Sequence, residues 1–196
     1  MSTISVVIGS TRPVRVGEQV ARELLPLLQA NTEHDVRIVD LLDQRLPLAE
    51  ETLPPRMGRY ELDSTKAWAE VVDESDAFIF VSPEYNGGYA ASLKNALDLV
   101  FAEWGDKPAG IVGYGWGGAG RATSQLAAIV PNYGMQLVGE PVGIAFGDNA
   151  PGENGLVADP AALVAPAAEL VLTQLRGIER ELAEQAAVAD AEESAA

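Results

Sequence analysis

Cysteine is absent from this chain, and histidine occurs once, as His34. The first absence excludes disulfides, thiolate metal sites, iron–sulfur ligation and a catalytic thiol together. The second leaves Ser-His-Asp chemistry and multi-histidine metal centres without the residues they need. Basic residues are scarce as well: 13 lysines and arginines face 29 aspartates and glutamates, a formal net charge of −16. A surface of that charge opposes binding to nucleic acid and to anionic membranes. The opening MSTISVVIGSTRP has no basic leader, and its apolar stretch, residues 4–8, is too short for a signal core or a membrane span, so a cytoplasmic location is expected. Chemistry in a chain so equipped is expected to reside in a bound cofactor.

What is present is enough apolar residue, 47% of 196, to close one core. One domain over residues 1–185 is expected. The alanine-rich tail 186–196, in which every charge is acidic, is expected to be disordered. Short β-branched or apolar runs at residues 4–8, 36–39, 77–82, 110–114 and 135–146 read as five strands. Helical spacing lies between them. Val16, Val20, Leu24 and Leu28 mark one helix; others are expected from Asp63 or Ser64 to about Glu74, over 90–100, and around Leu126, Ile129 and Val130. Asp159 and Pro160 cap a last helix whose buried stripe is expected at Leu163, Leu170, Leu175, Ile178 and Leu182, with a bend at Pro166. The proline-bearing stretch 41–62 is long for a plain connection and is expected to cap a site or an interface. Strands alternating with helices predict a doubly wound parallel sheet with helices on both faces. With order 2-1-3-4-5, the loops after strands one, three and four meet in one crevice at the strand carboxyl ends.

Those three loops carry the unusual residues. In Gly9-Ser10-Thr11-Arg12-Pro13-Val14-Arg15-Val16-Gly17 a buried strand meets a helix N-terminus, where free N–H groups, hydroxyls and a guanidinium suit a phosphate. The same residues also read as a capped turn with solvated arginines. Ser82-Pro83-Glu84-Tyr85-Asn86-Gly87-Gly88-Tyr89 admits positive φ at its centre and lets backbone groups approach a flat, polar-edged ring; an ordinary tight turn is the plainer reading. The third loop holds G-x-G-x-x-G at Gly115, Gly117 and Gly120, the pattern of a dinucleotide site. It follows the wrong strand for that role, and Glu140 falls inside an apolar run rather than after the next strand. The glycines are instead expected to allow close approach to the second side of a ring, with Trp116 at the rim.

The segments GSTRPVRVGEQVA and SPEYNGGYAASLKNALD together resemble the NAD(P)H-dependent FMN reductases, a family of flavin, quinone, azo-dye and chromate reductases. The likeness runs from about residue 4 to 147. The second segment, with Pro83, Glu84, Tyr85, Asn86, Gly87, Ser92, Lys94, Asn95 and Leu97, is the specific one. The resemblance implies a flavodoxin-like fold, FMN as cofactor and NADPH or NADH as electron donor. It implies an FMN phosphate held by Ser10, Arg12 and the backbone at Gly17, Glu18 and Gln19. Pro83, Glu84, Tyr85, Asn86 and Gly87 would border the isoalloxazine, and Tyr114, Gly115, Trp116, Gly117 and Gly118 would close its other side. The chain departs from a common family pattern that has serine and asparagine where Gly17 and Gln19 stand. A homodimer or homotetramer is implied, with the helix of Ser92, Lys94 and Asn95 near the subunit contact. Hydride would pass from NAD(P)H to FMN and on to a quinone, free flavin or other electrophile, with no side chain needed as catalytic acid or base. Two rivals share the cofactor: an electron carrier that docks on basic partners without turning over nicotinamide, and a flavin-binding scaffold.

Overall fold

The computed structural model of the protein describes residues 1–195. Its strands are β1 (Thr3–Ile8), β2 (Asp35–Asp40), β3 (Ala77–Pro83), β4 (Pro108–Gly115), β5 (Gln136–Leu137) and β6 (Val142–Ala145). All pair in parallel, in the order β2-β1-β3-β4-β5, with β6 also on β4. The helices are α1 (Val16–Gln29), α2 (Leu41–Gln44), α3 (Asp63–Asp73), α4 (Ala91–Leu99), α5 (Gly120–Ile129), α6 (Pro160–Val164) and α7 (Ala168–Ala195). The architecture is the flavodoxin-like one, as the alternation of apolar runs predicts.

Side-chain alternation along the central strands assigns the two faces. Ile4, Val6, Ile8, Ile79, Val81, Val112 and Tyr114 share a core with α1, α6 and α7, whereas Val7, Phe78, Phe80, Ala109 and Ile111 pack with α3, α4 and α5. The predicted stripe of α1, Val16, Val20, Leu24 and Leu28, is buried throughout. Segment 41–62 is tied to α4 through Asn95, whose amide donates to the Pro47 carbonyl at 2.7 Å and accepts from the Ala49 N–H at 3.2 Å.

Two expectations need correction. The run 135–146 is two strands rather than one, because Gly139 at φ +67° and Pro141 interrupt it. β5 pairs with the start of β4 and β6 with its end. Between them the buried Gln174 donates to the carbonyls of Ile111 and Glu140, at 2.9 and 2.8 Å, and so replaces the missing ladder bonds. Leu170 is 57% exposed and Val171 fully buried. A 3-10 turn at 165–167 that contains Pro166 separates α6 from α7, and the buried positions continue across it at helical spacing, so the stripe of α7 is Val171, Leu175, Ile178 and Leu182. The alanine-rich tail continues α7 to Ala195, in keeping with alanine's helix propensity; Ala196 lies outside the described residues. By length and composition alone Pro160–Glu192 would suffice to cross a membrane, but its apolar stripe is spent on the core beside β4 and α1.

Candidate functional site

Because β1, β3 and β4 are neighbours, the loops that follow them meet above their carboxyl ends. A cavity of about 520 Å³ opens there. Arg12, Pro83, Glu84, Tyr85, Tyr114, Gly115 and Trp116 line it, seven of the residues expected from the three loops.

The first loop leaves β1 at Gly9, whose N–H donates to the Val81 carbonyl at 2.8 Å, and enters α1 at the N-cap Arg15. Among the described residues no side chain caps this helix, so its first N–H groups remain available to an anion. The two arginines of the loop have different fates. Arg15 is buried and ion-pairs with Asp40 at the end of β2, and also donates to the Arg12 carbonyl at 3.1 Å. Arg12 stays exposed, its guanidinium 5.9 Å from the centre of the Tyr85 ring. Arg12 is therefore the more exposed loop cation, while Arg15 holds the loop against the sheet and also lines the cavity.

The second loop is a tight turn in which Tyr85 and Gly88 exchange backbone hydrogen bonds of 2.8 and 3.0 Å across Asn86 at φ +52° and Gly87 at φ +88°. Two consecutive left-handed residues give the type I′ geometry that Asn-Gly favours. Glu84 accepts from the Arg121 guanidinium at 2.7 and 3.0 Å and from the Arg121 N–H at 3.1 Å. This pairing holds the Glu84 carboxyl below the usual glutamate range. Gln125 donates to the Gly87 carbonyl at 2.9 Å, so α5 clamps the turn from the side. Ser10 and Tyr85 share a hydroxyl–hydroxyl bond of 2.7 Å, which joins the first and second loops.

The third loop supplies Tyr114 and Gly115 as cavity wall, and Trp116, 75% exposed, projects over the mouth with its edge on Phe146 at 5.5 Å. Gly118, at φ +72°, packs on the backbone of Gly143 rather than on the cavity, and a Cβ at Gly117 would meet nothing.

The other expected residues stand away from the opening. Gln19 uses both ends of its amide on the Val157 backbone, at 2.8 and 2.9 Å. Glu18 accepts from Arg22 at 3.0 Å and lies 3.8 Å from the Arg15 guanidinium. Gly17 lies behind Tyr114, and Asn86 and Gly87 shape the turn without lining the cavity. Val14, Arg15 and Val16 of the first loop complete the wall together with Phe146, Pro151, Glu153, Asn154 and Gly155, the last five of which no motif marks. Their only signal is position, in the segment that leads from the edge strand to the last helices.

A family model described as NADPH-dependent FMN reductase matches residues 2–149. The chain belongs to this family. The NAD(P)H-dependent FMN reductase of Schizosaccharomyces pombe is 42% identical over 125 residues, which cover 63% of this chain and 62% of that relative. One from a Nectria species is 35% identical over 65% of this chain and 66% of its own length. The match thus spans less than two thirds of these two relatives. The corresponding reductase of Saccharomyces cerevisiae is 32% identical over 147 residues, covering 69% of this chain and 77% of its own. The flavoenzyme NAD(P)H:(acceptor) oxidoreductase FerB of Paracoccus denitrificans shares the fold, with a TM-score of 0.63 at 23% identity over 92% of this chain and 99% of its own.

FMN is the flavin of this family, and NAD(P)H its donor. The cavity of this FMN reductase homologue fits such a group in both of its parts. A helix end whose N-cap makes no side-chain bond, with Arg12 beside it, suits a phosphate, and the aromatic walls of Tyr85, Trp116 and Phe146 suit a flat ring.

Proposed function

We propose that this protein is a cytoplasmic FMN-dependent oxidoreductase that takes hydride from NAD(P)H and reduces a quinone, a free flavin or another small electrophile. One observation carries the reading: an anion-suited helix end and an aromatic-walled cavity lie side by side at the carboxyl ends of β1, β3 and β4. Ser10, Arg12 and the first turn of α1 hold the phosphate. Pro83, Glu84 and Tyr85, held in place by the turn at Asn86 and Gly87, and the strand end at Gly115 and Trp116 border the ring. FMN, when bound, supplies the chemistry, accepting two electrons from nicotinamide and releasing them to an acceptor. The chain's own work is to orient the ring, narrow the access of water, and keep one face open. The clamp of Glu84 by Arg121 and of Gly87 by Gln125 keeps the turn in its strained left-handed form, so the ring meets a preformed wall. No side chain is assigned a catalytic proton.

A homodimer or homotetramer accompanies this reading. A trough of about 410 Å³ between α2 and α4, lined by Leu41, Leu42, Leu46 and Leu48, leaves Leu48 77% exposed and supports a contact with a second copy.

The decisive experiment is an absorbance titration with FMN, followed by anaerobic NADPH and then NADH. Bleaching of the bound flavin's visible band is the expected result, and the faster nucleotide identifies the donor. Bound flavin that neither nucleotide reduces would support the electron carrier instead; no binding would remove both readings. In the same assay Arg12→Ala weakens FMN binding by about 1.5–3 kcal/mol, the worth of a hydrogen bond to a charged group. Unchanged affinity would show that Arg12 does not reach the phosphate.

A further inference from the structure

Tyr114 stands near the end of β4 with its side chain on the α1 face of the sheet. The side chain is 4% exposed, packed 6.4 Å from Phe146, and its hydroxyl reaches into the first loop. A Cβ built on Gly17 would lie 2.5 Å from Tyr114 Oη and 3.1 Å from Cζ. The hydroxyl thus occupies the space that any side chain at position 17 would take. Gly17 is the second residue of α1, whose N-cap Arg15 makes no side-chain cap bond, and the Gly17 N–H faces the phenol oxygen. Burial pushes the phenol's pKa up, with Tyr85 acting in the same direction and Ser10, the Gly17 backbone and Arg15 against it. The phenol is therefore protonated at neutral pH and able to donate. A buried hydroxyl set against the first turn of α1, on the wall of a cavity it shares with Arg12, can accept from the helix N–H and donate its own proton to an anion.

We propose that the Tyr114 hydroxyl is a ligand of the FMN phosphate, reaching the first loop in the place left by the absent side chain of Gly17, and that it makes the site prefer FMN to riboflavin. This rests on the flavoenzyme reading and sharpens it. Tyr114 acts at the phosphate end of the cavity rather than as part of the ring wall. Gly17 is then required for space: its backbone angles are those of an ordinary helix, so only the approach of Oη forbids a larger residue.

The test compares two ligands that differ only in the phosphate. FMN and riboflavin are titrated into wild-type protein, Tyr114→Phe and Gly17→Ala, with binding followed by quenching of flavin fluorescence. Tyr114→Phe is expected to raise the Kd for FMN roughly tenfold or more and to leave that for riboflavin within about twofold, as the loss of a hydrogen bond to a charged group requires. Gly17→Ala keeps the phenol but sets a methyl against Oη and Cζ, so the hydroxyl end of the ring shifts away from the helix; the same selective loss is expected and does not depend on how Tyr114→Phe folds. A parallel loss for both flavins would make Tyr114 a ring-wall or packing residue and overturn the proposal, as would an unchanged FMN preference in both variants. Wild-type protein that binds neither flavin would overturn the flavoenzyme reading itself, and this assignment with it.

Discussion

Replacing Trp104 by alanine lowers the stability of the protein by about 3–5 kcal/mol, the range measured when a large aromatic is cut from a packed core. Trp104 has no exposed surface. Its ring meets Phe78 edge-on at 4.9 Å, Phe80 at 6.0 Å and Trp68 at 6.1 Å, so one side chain joins β3 to α3. Its indole N–H donates to the Leu97 carbonyl at 3.2 Å in the last turn of α4. Truncation removes the apolar burial, opens a cavity that rigid neighbours cannot fill, and leaves that carbonyl without its partner. Urea denaturation should show a lower midpoint with an unchanged slope, the signature of a loss in stability rather than a change in the unfolded state. Trp116→Ala is the control. That ring is 75% exposed, and its removal should change stability by no more than about 0.5 kcal/mol. Equal effects of the two substitutions would refute the assignment of Trp104 to the centre of the α3–α4–α5 core.

The second large effect is expected at Asp40→Ala, about 3 kcal/mol, because it leaves the buried Arg15 charge with only the more distant Glu18 carboxylate, at 3.8 Å, as a partner. The Arg15 side chain is 4% exposed and that of Asp40 12%. Asp40 also accepts from the Leu42 N–H at 3.0 Å, capping α2, so the substitution frees that helix end as well. The consequence extends to the site. Arg15 bonds the Arg12 carbonyl, and a mobile Arg15 loosens the loop that presents Arg12 to the ligand. FMN affinity should therefore fall together with stability. The double variant Arg15→Met/Asp40→Leu separates charge from packing. Replacing a buried ion pair by apolar residues of similar size is often neutral, so it should recover most of the denaturation midpoint. Failure to recover would place the role of Asp40 in the α2 cap rather than in the pair.

The sheet order and the convergence of the three loops were both legible in the sequence. Buried β-branched runs such as residues 77–82 and the four-residue spacing of α1 depend on neighbours close in the chain, and a parallel winding leaves few orders to choose from. The two strands in 135–146 were harder to separate, because Gly139 and Pro141 interrupt a run that remains apolar on either side. The stripe of α7 differs from the expected one only in Val171 for Leu170: the two are adjacent and similarly apolar, and packing decides which of them faces the core.

At the candidate site the sequence by itself determined which residues arrive: a hydroxyl-rich loop with two arginines, an Asn-Gly turn, and a glycine-rich strand end. It did so because motif residues are local and β–loop–α order carries them to one edge of the sheet. Only the tertiary structure decided what each one does there. Arg12 and Arg15 are alike in composition and three residues apart, and the position of Asp40 on a different strand is what buries one and leaves the other free. Gln19 turns to Val157 and Gly17 admits the Tyr114 hydroxyl through contacts about a hundred residues or more distant in the chain. Such contacts follow from which surfaces the packed helices and strands bring together, and no local pattern encodes them.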